Sequence, residues 1–248
     1  MKISLIVPCY NETSNIQKGV LDKIGNYVEN DDRFIEILIV DDGSSDGSKK
    51  MIRDNYLPAF SKFKLIENPH RGKAYAVITG MEKAKGDYVM FMDIDLATPI
   101  EESEKLIREL EDGYKIVIGS RSSQRKGAPT LRKIMAIGNI FIRSLFIGLR
   151  GIRDTQCGFK VFDRKTALAI IKKLRVFGPD RNVKDSSVSA GFDLEFLFIA
   201  QKMQFKVKEV PVTWRHVETK NVKFVKDSLQ ALKDMWAIKK NDVAGNYN

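Results

Sequence analysis

Long apolar runs are missing from this chain. None approaches the roughly 20 residues that cross a bilayer as a helix, so the sequence predicts no membrane span. Met1-Lys2 leads straight into a strand-like segment with no cleavage site behind it, which argues against a signal peptide. Cysteine occurs only at Cys9 and Cys157, far apart and in apolar surroundings. Two are too few for a disulfide framework, and reduced thiols in a cytosolic setting are the expected state. Histidine is equally scarce, and His216 has no second ligand at zinc spacing, so it reads as a surface or hydrogen-bonded residue. Neither G-x-G-x-x-G nor G-x-x-x-x-G-K-[ST] is present, so any phosphate must be held by metal and basic side chains in place of a glycine cradle. Recognisable RNA or DNA modules are absent, which speaks against a nucleic-acid partner. Acidic residues number 32 against 42 Lys and Arg, giving a net charge of +10 and a pI near 9.4. Such an excess suits an anionic partner, whether nucleotide phosphates, nucleic acid or an acidic membrane surface.

What is present is alternation. Ile3 to Pro8 is a short β-rich run closed by proline, and Glu12 to Val28 has Ile16, Val20, Ile24 and Val28 at helical spacing. Phe34 to Val40 reads as a second buried strand, stopped by Asp41-Asp42-Gly43-Ser44-Ser45-Asp46-Gly47-Ser48, a turn in which Asp46 suits a helix cap. Phe63 to Ile66 predicts a third strand and Lys73 to Lys85 a helix. Gly86-Asp87 then turns the chain into a fourth strand ending at Asp93. Strand alternating with helix means a parallel sheet with right-handed crossovers. Ligands of such sheets bind beyond the carboxyl ends of the strands. Tyr10, Asn11 and Glu12, then Asp41 and Asp42, then Asp93 and Asp95 all fall at those ends, and Asn68, His70, Arg71, Gly72 and Lys73 follow the third strand.

Asp93 and Asp95 are the centre of this pattern. If extended geometry continues through them, they share one face. Clustered carboxylates raise one another's pKa, and a hard divalent cation removes that repulsion, Mg²⁺ being held by one or two carboxylates plus substrate phosphates. A turn that merely caps the next helix is the alternative reading.

The second half predicts a helix over 99–111, a strand from Tyr114 to Gly119 delivering Ser120 and Arg121, and a polar basic loop over 122–130. Between Leu131 and Leu149, Arg132, Asn139, Arg143 and Arg150 form one polar stripe, at about 100° per residue, on an otherwise apolar helix. Such a helix suits either internal arginine pairing or a membrane interface. Asp154 to Phe162 reads as a strand or bent ribbon, Arg164 to Leu174 as a helix, 177–189 as a surface loop, and Gly191 to Met203 as a helix opened by Asp193. Lys206 to Arg215 predicts a last strand, with Trp214 packing. Val222, Val225, Leu229, Leu232 and Trp236, flanked by lysines, form an amphipathic basic helix that either packs on the domain or lies on an anionic leaflet, ahead of a frayed tail over 241–248.

Three segments in this order and spacing, Val7-Pro8-Cys9-Tyr10-Asn11-Glu12, Val40-Asp41-Asp42-Gly43-Ser44-Ser45-Asp46 and Asp93-Ile94-Asp95, resemble the family 2 inverting glycosyltransferases. Ile152-Arg153-Asp154-Thr155-Gln156-Cys157-Gly158-Phe159-Lys160 and Asp93-Ile94-Asp95-Leu96-Ala97-Thr98 narrow the likeness to dolichyl-phosphate (polyprenyl-phosphate) β-glucosyltransferases, related to dolichol-phosphate mannose synthase-like catalytic domains. The resemblance implies an α/β GT-A (Rossmann-like) fold with a mixed, mostly parallel central sheet, flanking helices and a C-terminal amphipathic helix. It implies one catalytic domain over 1–220, with a nucleotide-sugar half over 1–98 and an acceptor half over 99–220, and a helix and tail over 221–248. It casts Pro8, Tyr10, Glu12, Asp41, Asp42, Arg71, Lys73 and Asp93 as nucleotide-sugar contacts, and Asp93 and Asp95 as ligands of Mg²⁺ or Mn²⁺. Arg121, Arg132 and Lys220 fall to the acceptor phosphate; Asp95, Arg121 and Asp193 are the catalytic candidates, Asp193 as base or as loop organiser. Ala97 and Ala136 stand where relatives often carry glutamine and serine. The implied partners are UDP-glucose and a polyprenyl or dolichyl phosphate, with peripheral contact on the cytoplasmic face of a membrane. GDP-mannose as donor and a soluble saccharide acceptor are the alternatives within the same chemistry.

Overall fold

The computed structural model describes residues 1–121, 147–149, 151–178, 190–215 and 224–248. The basic stripe of Arg132, Asn139, Arg143 and Arg150, the 122–130 and 179–189 loops, and His216, Thr219 and Lys220 lie outside the described residues.

Seven strands form one sheet among the described residues: β1 (Ile3–Cys9), β2 (Phe34–Asp41), β3 (Phe63–Glu67), β4 (Tyr88–Met92), β5 (Ile116–Ser120), β6 (Phe159–Asp163) and β7 (Val207–Pro211). Their spatial order is β3-β2-β1-β4-β6-β5-β7. The pairs β1–β2, β2–β3, β1–β4 and β5–β7 are parallel. β6 alone runs against its neighbours, with Met92 opposite Phe159 and Ile116 opposite Phe162. The reversal brings the segment before β6 to the same edge as the carboxyl ends of β1, β2, β4 and β5. β1 sits between β2 and β4, so strand order changes direction there, the switch point at which open α/β sheets bind ligands.

Burial explains why these segments are strands. β1 is buried along its whole length, as a central strand covered on both faces must be. Ile3, Leu5, Val7 and Cys9 pack with α1 (Thr13–Gln17), α2 (Val20–Glu29) and α5 (Ser103–Glu111) on one side. Ile6 joins Leu38, Val40 and Phe91 under α4 (Lys73–Lys83) on the other, with α6 (Arg164–Ile171) and α7 (Ala190–Lys202) beside it. Period-two alternation thus feeds two cores.

Several expectations are corrected. The helix over 12–28 is broken, because Gly19 takes φ +74° between α1 and α2, a conformation that carries no steric penalty only in glycine. Segment 154–158 is bent backbone, and only Phe159–Asp163 pairs as strand. The C-terminal helix, α8 (Phe224–Val243), packs on α7 with Met235 and Ile238 buried, whereas Leu232 and Trp236 of the predicted packing stripe are 48% and 62% exposed. The helix carries two apolar faces, and the sequence stripe is the outer one at its described end.

Nor does the tail fray. Tyr247 is buried, and its hydroxyl donates to Glu195 Oε1 at 2.7 Å. Glu195, wholly buried in α7, also accepts the backbone N–H groups of Arg175, Val176 and Phe177. This one carboxylate closes the end of α6 and anchors the C-terminus. Burial of Tyr247 itself, and after it the Glu195 charge, push the phenol well above its ordinary pKa. Glu195→Ala, which strands four donors, two of them buried, is expected to lower the unfolding free energy by about 2–4 kcal/mol. Tyr247→Phe removes one hydrogen bond and is expected to lower it by about 1–2 kcal/mol. Urea titration followed by circular dichroism measures both; midpoints equal to wild type would refute the anchor.

Candidate active site

At the switch point the first two loops are laced together. Asn11, at φ +56°, accepts the Ser45 N–H on its side-chain oxygen while its own N–H donates to Ser44 Oγ. The Glu12 N–H donates to Ser48 Oγ at 2.8 Å. Asp46 accepts from the backbone of Thr13 and Ser48. Burial raises its pKa, but the hydrogen bonds from Ser48 and Thr13 outweigh that and bring it down to about 2. Asp46 therefore braces both loops.

Asp41 and Asp42 divide their work. Both carboxylate oxygens of Asp42 are taken by the next loop, accepting from the Arg71 and Gly72 N–H groups at 2.9 and 2.7 Å and meeting His70 Nδ1 at 2.8 Å. Asp41 Oδ2 accepts from Gly43 and Ser44, but its Oδ1 is buried with no partner among the described residues. A buried carboxylate oxygen left unpaired is costly, and it offers an acceptor to a ligand N–H or O–H. Tyr10 is half-buried and stacks on His70 with ring centroids 4.2 Å apart, giving the crevice an aromatic wall. The Arg71 guanidinium lies 4.1 Å above the Tyr75 ring. Pro8 sits in β1 opposite Val40, two residues past the point where the pairing of β1 with β4 stops.

β4 ends at Met92, and the chain then turns: the Leu96 N–H reaches back to Asp93 O at 3.4 Å, with Leu96 at φ +53°. The extended geometry expected through Asp95 is therefore not followed. Asp95 still belongs to the cluster, because burial first, and the Asp93 charge after it, raise its pKa. Glu12 is raised likewise, by burial and by Asp95 and Asp93, although Asn15 hydrogen-bonds to it. Lys73, at the start of α4, is ion-paired with Asp93. Burial works against its ammonium, but Asp93, Asp193 and Asp95 together hold its pKa above the usual lysine value.

Gly158 makes room for this arrangement. Its carbonyl accepts the Asp93 N–H, and a Cβ there would stand 2.1 Å from the Asp93 carboxylate. On the far side, Arg121 at the end of β5 donates from Nε and Nη2 to Asp154 at 2.7 and 2.9 Å, and its guanidinium lies 5.8 Å from the Trp214 ring. Burial raises Asp154, yet the Arg121 fork overrides it and brings the carboxyl to about 2. Asp193, in the first turn of α7, is ion-paired at 2.7 Å with the buried Lys160.

Asp93 and Asp95 offer oxygen donors suited to Mg²⁺ or Mn²⁺, and the glycine cradle beside Asp93 and the raised Asp95 carboxyl fit a cation there. Among the described residues no group of three His, Cys, Asp or Glu side chains gathers to hold a metal. A cation would thus complete its shell from bound substrate and water. Among the described residues no helix is long and apolar enough to cross a membrane. A 570 Å³ depression lined by Asn26, Tyr27, Asp31, Arg33 and Glu104 lies at the opposite, amino end of the sheet, and Arg33 is ion-paired there with Asp31 and Glu104.

Sequence reasoning brought Glu12, Asp41, Lys73, Asp93, Asp95 and Asp193 to the site but gave no role to Gly158, Asp154 or Lys160. A lysine between Phe159 and Val161 in a strand is the signal that could have pointed to the buried charge. Arg132 and Lys220 fall outside the described residues.

Fold and site define an α/β protein whose carboxyl edge gathers carboxylates around Lys73, an arrangement that could take a divalent cation. Residues 4–172 match the family model "Glycosyl transferase family 2". The chain is 35% identical over 235 residues to dolichyl-phosphate beta-glucosyltransferase ALG5A of Trichomonas vaginalis, covering 89% of this chain and 68% of that protein. It is 30% identical over 265 residues to the dolichyl-phosphate beta-glucosyltransferase of Saccharomyces cerevisiae, covering 99% and 76%. A crystal structure of Mycobacterium tuberculosis glucosyl-3-phosphoglycerate synthase with Mn²⁺, UDP and glucosyl-3-phosphoglycerate superposes with a TM-score of 0.68 at 19% identity, over 96% of this chain and 80% of that one. Mannosyl-3-phosphoglycerate synthase from Rubrobacter xylanophilus gives 0.65 at 16% identity, over 99% and 75%. This chain belongs to glycosyl transferase family 2, and its sheet is the GT-A architecture the motifs imply.

Gly158→Ala places a methyl group against the Asp93 carboxylate and pushes it out of place. Mn²⁺ affinity in the presence of UDP, measured calorimetrically, is expected to fall about 10–100-fold. The melting temperature should move by no more than about 4 °C. Unchanged affinity would remove the cradle from the site.

Proposed function

We propose that this glycosyltransferase moves glucose from UDP-glucose to a polyprenyl or dolichyl phosphate with inversion, using Mg²⁺ or Mn²⁺. Residues 1–220 would act as the catalytic unit. The observation that carries the reading is the convergence of Glu12, Asp93, Asp95 and the unpartnered Asp41 Oδ1 at the β1–β4 switch point. Its neighbours in sequence, dolichyl-phosphate beta-glucosyltransferases, support the acceptor, and the UDP and Mn²⁺ in a fold neighbour support the donor class.

Each group then has a task. Asp41 accepts from a base or ribose donor, and Tyr10 with His70 walls the base. Asp93 and Asp95 hold the cation, which when bound offsets the charge that gathers on the departing diphosphate. Lys73, beside Asp93, adds a second positive charge at the same end. Arg121 presents its guanidinium, already oriented by Asp154 and beside Trp214, toward the acceptor side. Arg132 and Lys220 are proposed to join it on the acceptor phosphate. A phosphate oxygen attacks the anomeric carbon opposite the leaving diphosphate, giving a β-linked lipid-phosphate sugar. That oxygen needs no base, because a phosphate monoester is already largely ionised at pH 7, with second pKa near 6. Asp193, ion-paired with Lys160, then has a positioning task.

Incubation with labelled UDP-glucose and a polyprenyl phosphate tests the reading. Label should enter the lipid fraction, EDTA should abolish transfer, and Asp95→Asn should reduce it at least about 100-fold. Asp193→Asn at saturating Mn²⁺ should keep transfer within about tenfold of wild type, the lower range of general-base effects being about 100-fold. Its complete loss would favour a hydroxyl acceptor, and transfer from GDP-mannose alone would displace the donor.

We further propose that the outer face of α8, with Trp236 and Leu232 exposed beside Lys233 and Lys240, rests on an anionic leaflet at the cytoplasmic face. Trp236→Ala is expected to weaken binding to vesicles containing phosphatidylserine about fivefold, an apolar loss of about 1 kcal/mol. Equal co-sedimentation of both proteins would exclude this face.

A further inference from the structure

Glu209 lies in β7, half-buried and opposite Ile118 of β5. Its neighbours Lys208 and Val210 turn to the α5 side, where Lys208 pairs with Glu109 at 3.2 Å and Val210 is buried. Strand alternation puts Glu209 on the other face, the one on which Ile147, Leu149 and Ile152 pack. There both of its carboxylate oxygens are engaged by one piece of backbone. Oε2 accepts the Arg153 N–H at 3.0 Å, and Oε1 accepts the Asp154 N–H at 2.8 Å. Glutamate is disfavoured in strands, so its distinctive contribution here is the pair of N–H groups it holds.

Those groups carry Asp154, whose carboxylate is itself fully engaged. Oδ2 accepts from the Arg121 N–H and Nε at 2.9 and 2.7 Å, while Oδ1 accepts from Arg121 Nη2 and the Gln156 N–H at 2.9 and 3.1 Å. The Nε edge of the guanidinium is thereby fixed on Asp154, with the Nη1 side turned away from it, and the Trp214 ring flanks it at 5.8 Å. Contact is continuous from Glu209 through the 153–154 backbone and the Asp154 carboxylate to Arg121, each joining hydrogen bond being 3.0 Å or shorter.

We propose that Glu209 is a positioning residue for the acceptor: by fixing the Asp154 backbone it sets where Asp154 aims the Arg121 guanidinium, and so how tightly a phosphate monoester is held there. The inference rests on the reading of Arg121 as an acceptor-phosphate contact. None of these hydrogen bonds involves the carboxylates at the ends of β1, β2 and β4, so donor binding is independent of Glu209.

Steady-state transfer from UDP-glucose to a polyprenyl phosphate by the full chain, at saturating Mn²⁺, tests this. Glu209→Ala should raise the acceptor KM about tenfold, the scale of a misdirected binding group. The UDP-glucose KM and kcat should stay within about twofold, because a contact made equally before and during attack moves KM alone. A matching rise in donor KM, or a fall in kcat at unchanged acceptor KM, marks a general structural role and overturns the proposal. Arg121→Ala should raise the acceptor KM at least about tenfold, the loss of a charged hydrogen-bonding group. In that background Glu209→Ala should add less than about twofold, since groups acting through one another are not additive. A further tenfold rise there also overturns the proposal. Should Glu209→Ala fail to fold, Glu209→Gln decides in its place, because it keeps one acceptor oxygen and sets an NH₂ group against the other N–H. It should raise the acceptor KM about threefold alone and leave it unchanged beside Arg121→Ala; no rise in the single variant overturns the proposal. An acceptor KM indifferent to Arg121→Ala overturns the reading of Arg121 and this inference with it. One that responds to Arg121→Ala but not to Glu209→Ala overturns this inference alone.

Discussion

Carboxylate repulsion at the end of β4 is the constraint around which the site is built. Asp93, Asp95 and Glu12 face one crevice in partly buried positions, where burial and the Asp93 charge raise the pKa of Asp95, and burial with both aspartates raises that of Glu12. A protein can tolerate such a cluster only if positive charge is supplied nearby. Here Lys73 supplies it directly, and Lys160 and Arg121 satisfy the further carboxylates Asp193 and Asp154 behind it. Much of the local geometry follows from that balance. Gly158 has no side chain so that Asp93 can lie against the backbone, and β6 runs backwards so that Gly158, Asp154 and Lys160 approach the same edge.

The reversal of β6 also explains why the two halves of the chain share one site. Four parallel strands with their crossover helices would leave β4 as an edge strand, with unpaired backbone groups beside Asp93. Antiparallel pairing with β6 covers that edge and carries in the segment 154–158. β5 and β7 then extend the sheet, bringing Arg121 and Trp214 to the same carboxyl edge. Were β6 parallel to β4, the segment 154–158 that precedes it would lie at the other end of the sheet.

Much of this was legible in the residues. Buried strands announce themselves as apolar runs, and carboxylates placed where each run stops marked the carboxyl edge of the sheet, because strand ends in alternating α/β chains converge. The reversed strand was not legible, since Phe159 to Asp163 looks the same in either direction and its hand depends on contacts far along the chain. Nor was the turn at Asp93 to Leu96, which needs a positive φ at a leucine, a residue that local preference disfavours there. The C-terminal segment misled for a related reason. Leu232 and Trp236 form the cleaner stripe on paper, but Met235, Ile238 and Tyr247 are the side chains that find α7 and Glu195. Asp42 and Asp46 illustrate the limit of motif reading: their carboxylates sit with the others in sequence pattern, yet they are spent on backbone N–H groups that shape the loops.

The sign of the crevice and the sign of the whole chain point in opposite directions, and this has a consequence for how ligands enter. The chain carries +10 overall, so anions are drawn to it from a distance. Within the crevice Glu12, Asp41, Asp93 and Asp95 face chiefly Lys73, so a bare diphosphate that arrives meets repulsion at close range. On the proposed reading, Asp93 and Asp95 would hold a divalent cation that a diphosphate brings with it, and Lys73 would face the remaining phosphate charge. Long-range attraction and short-range repulsion would then together favour the metal–diphosphate pair over the bare diphosphate.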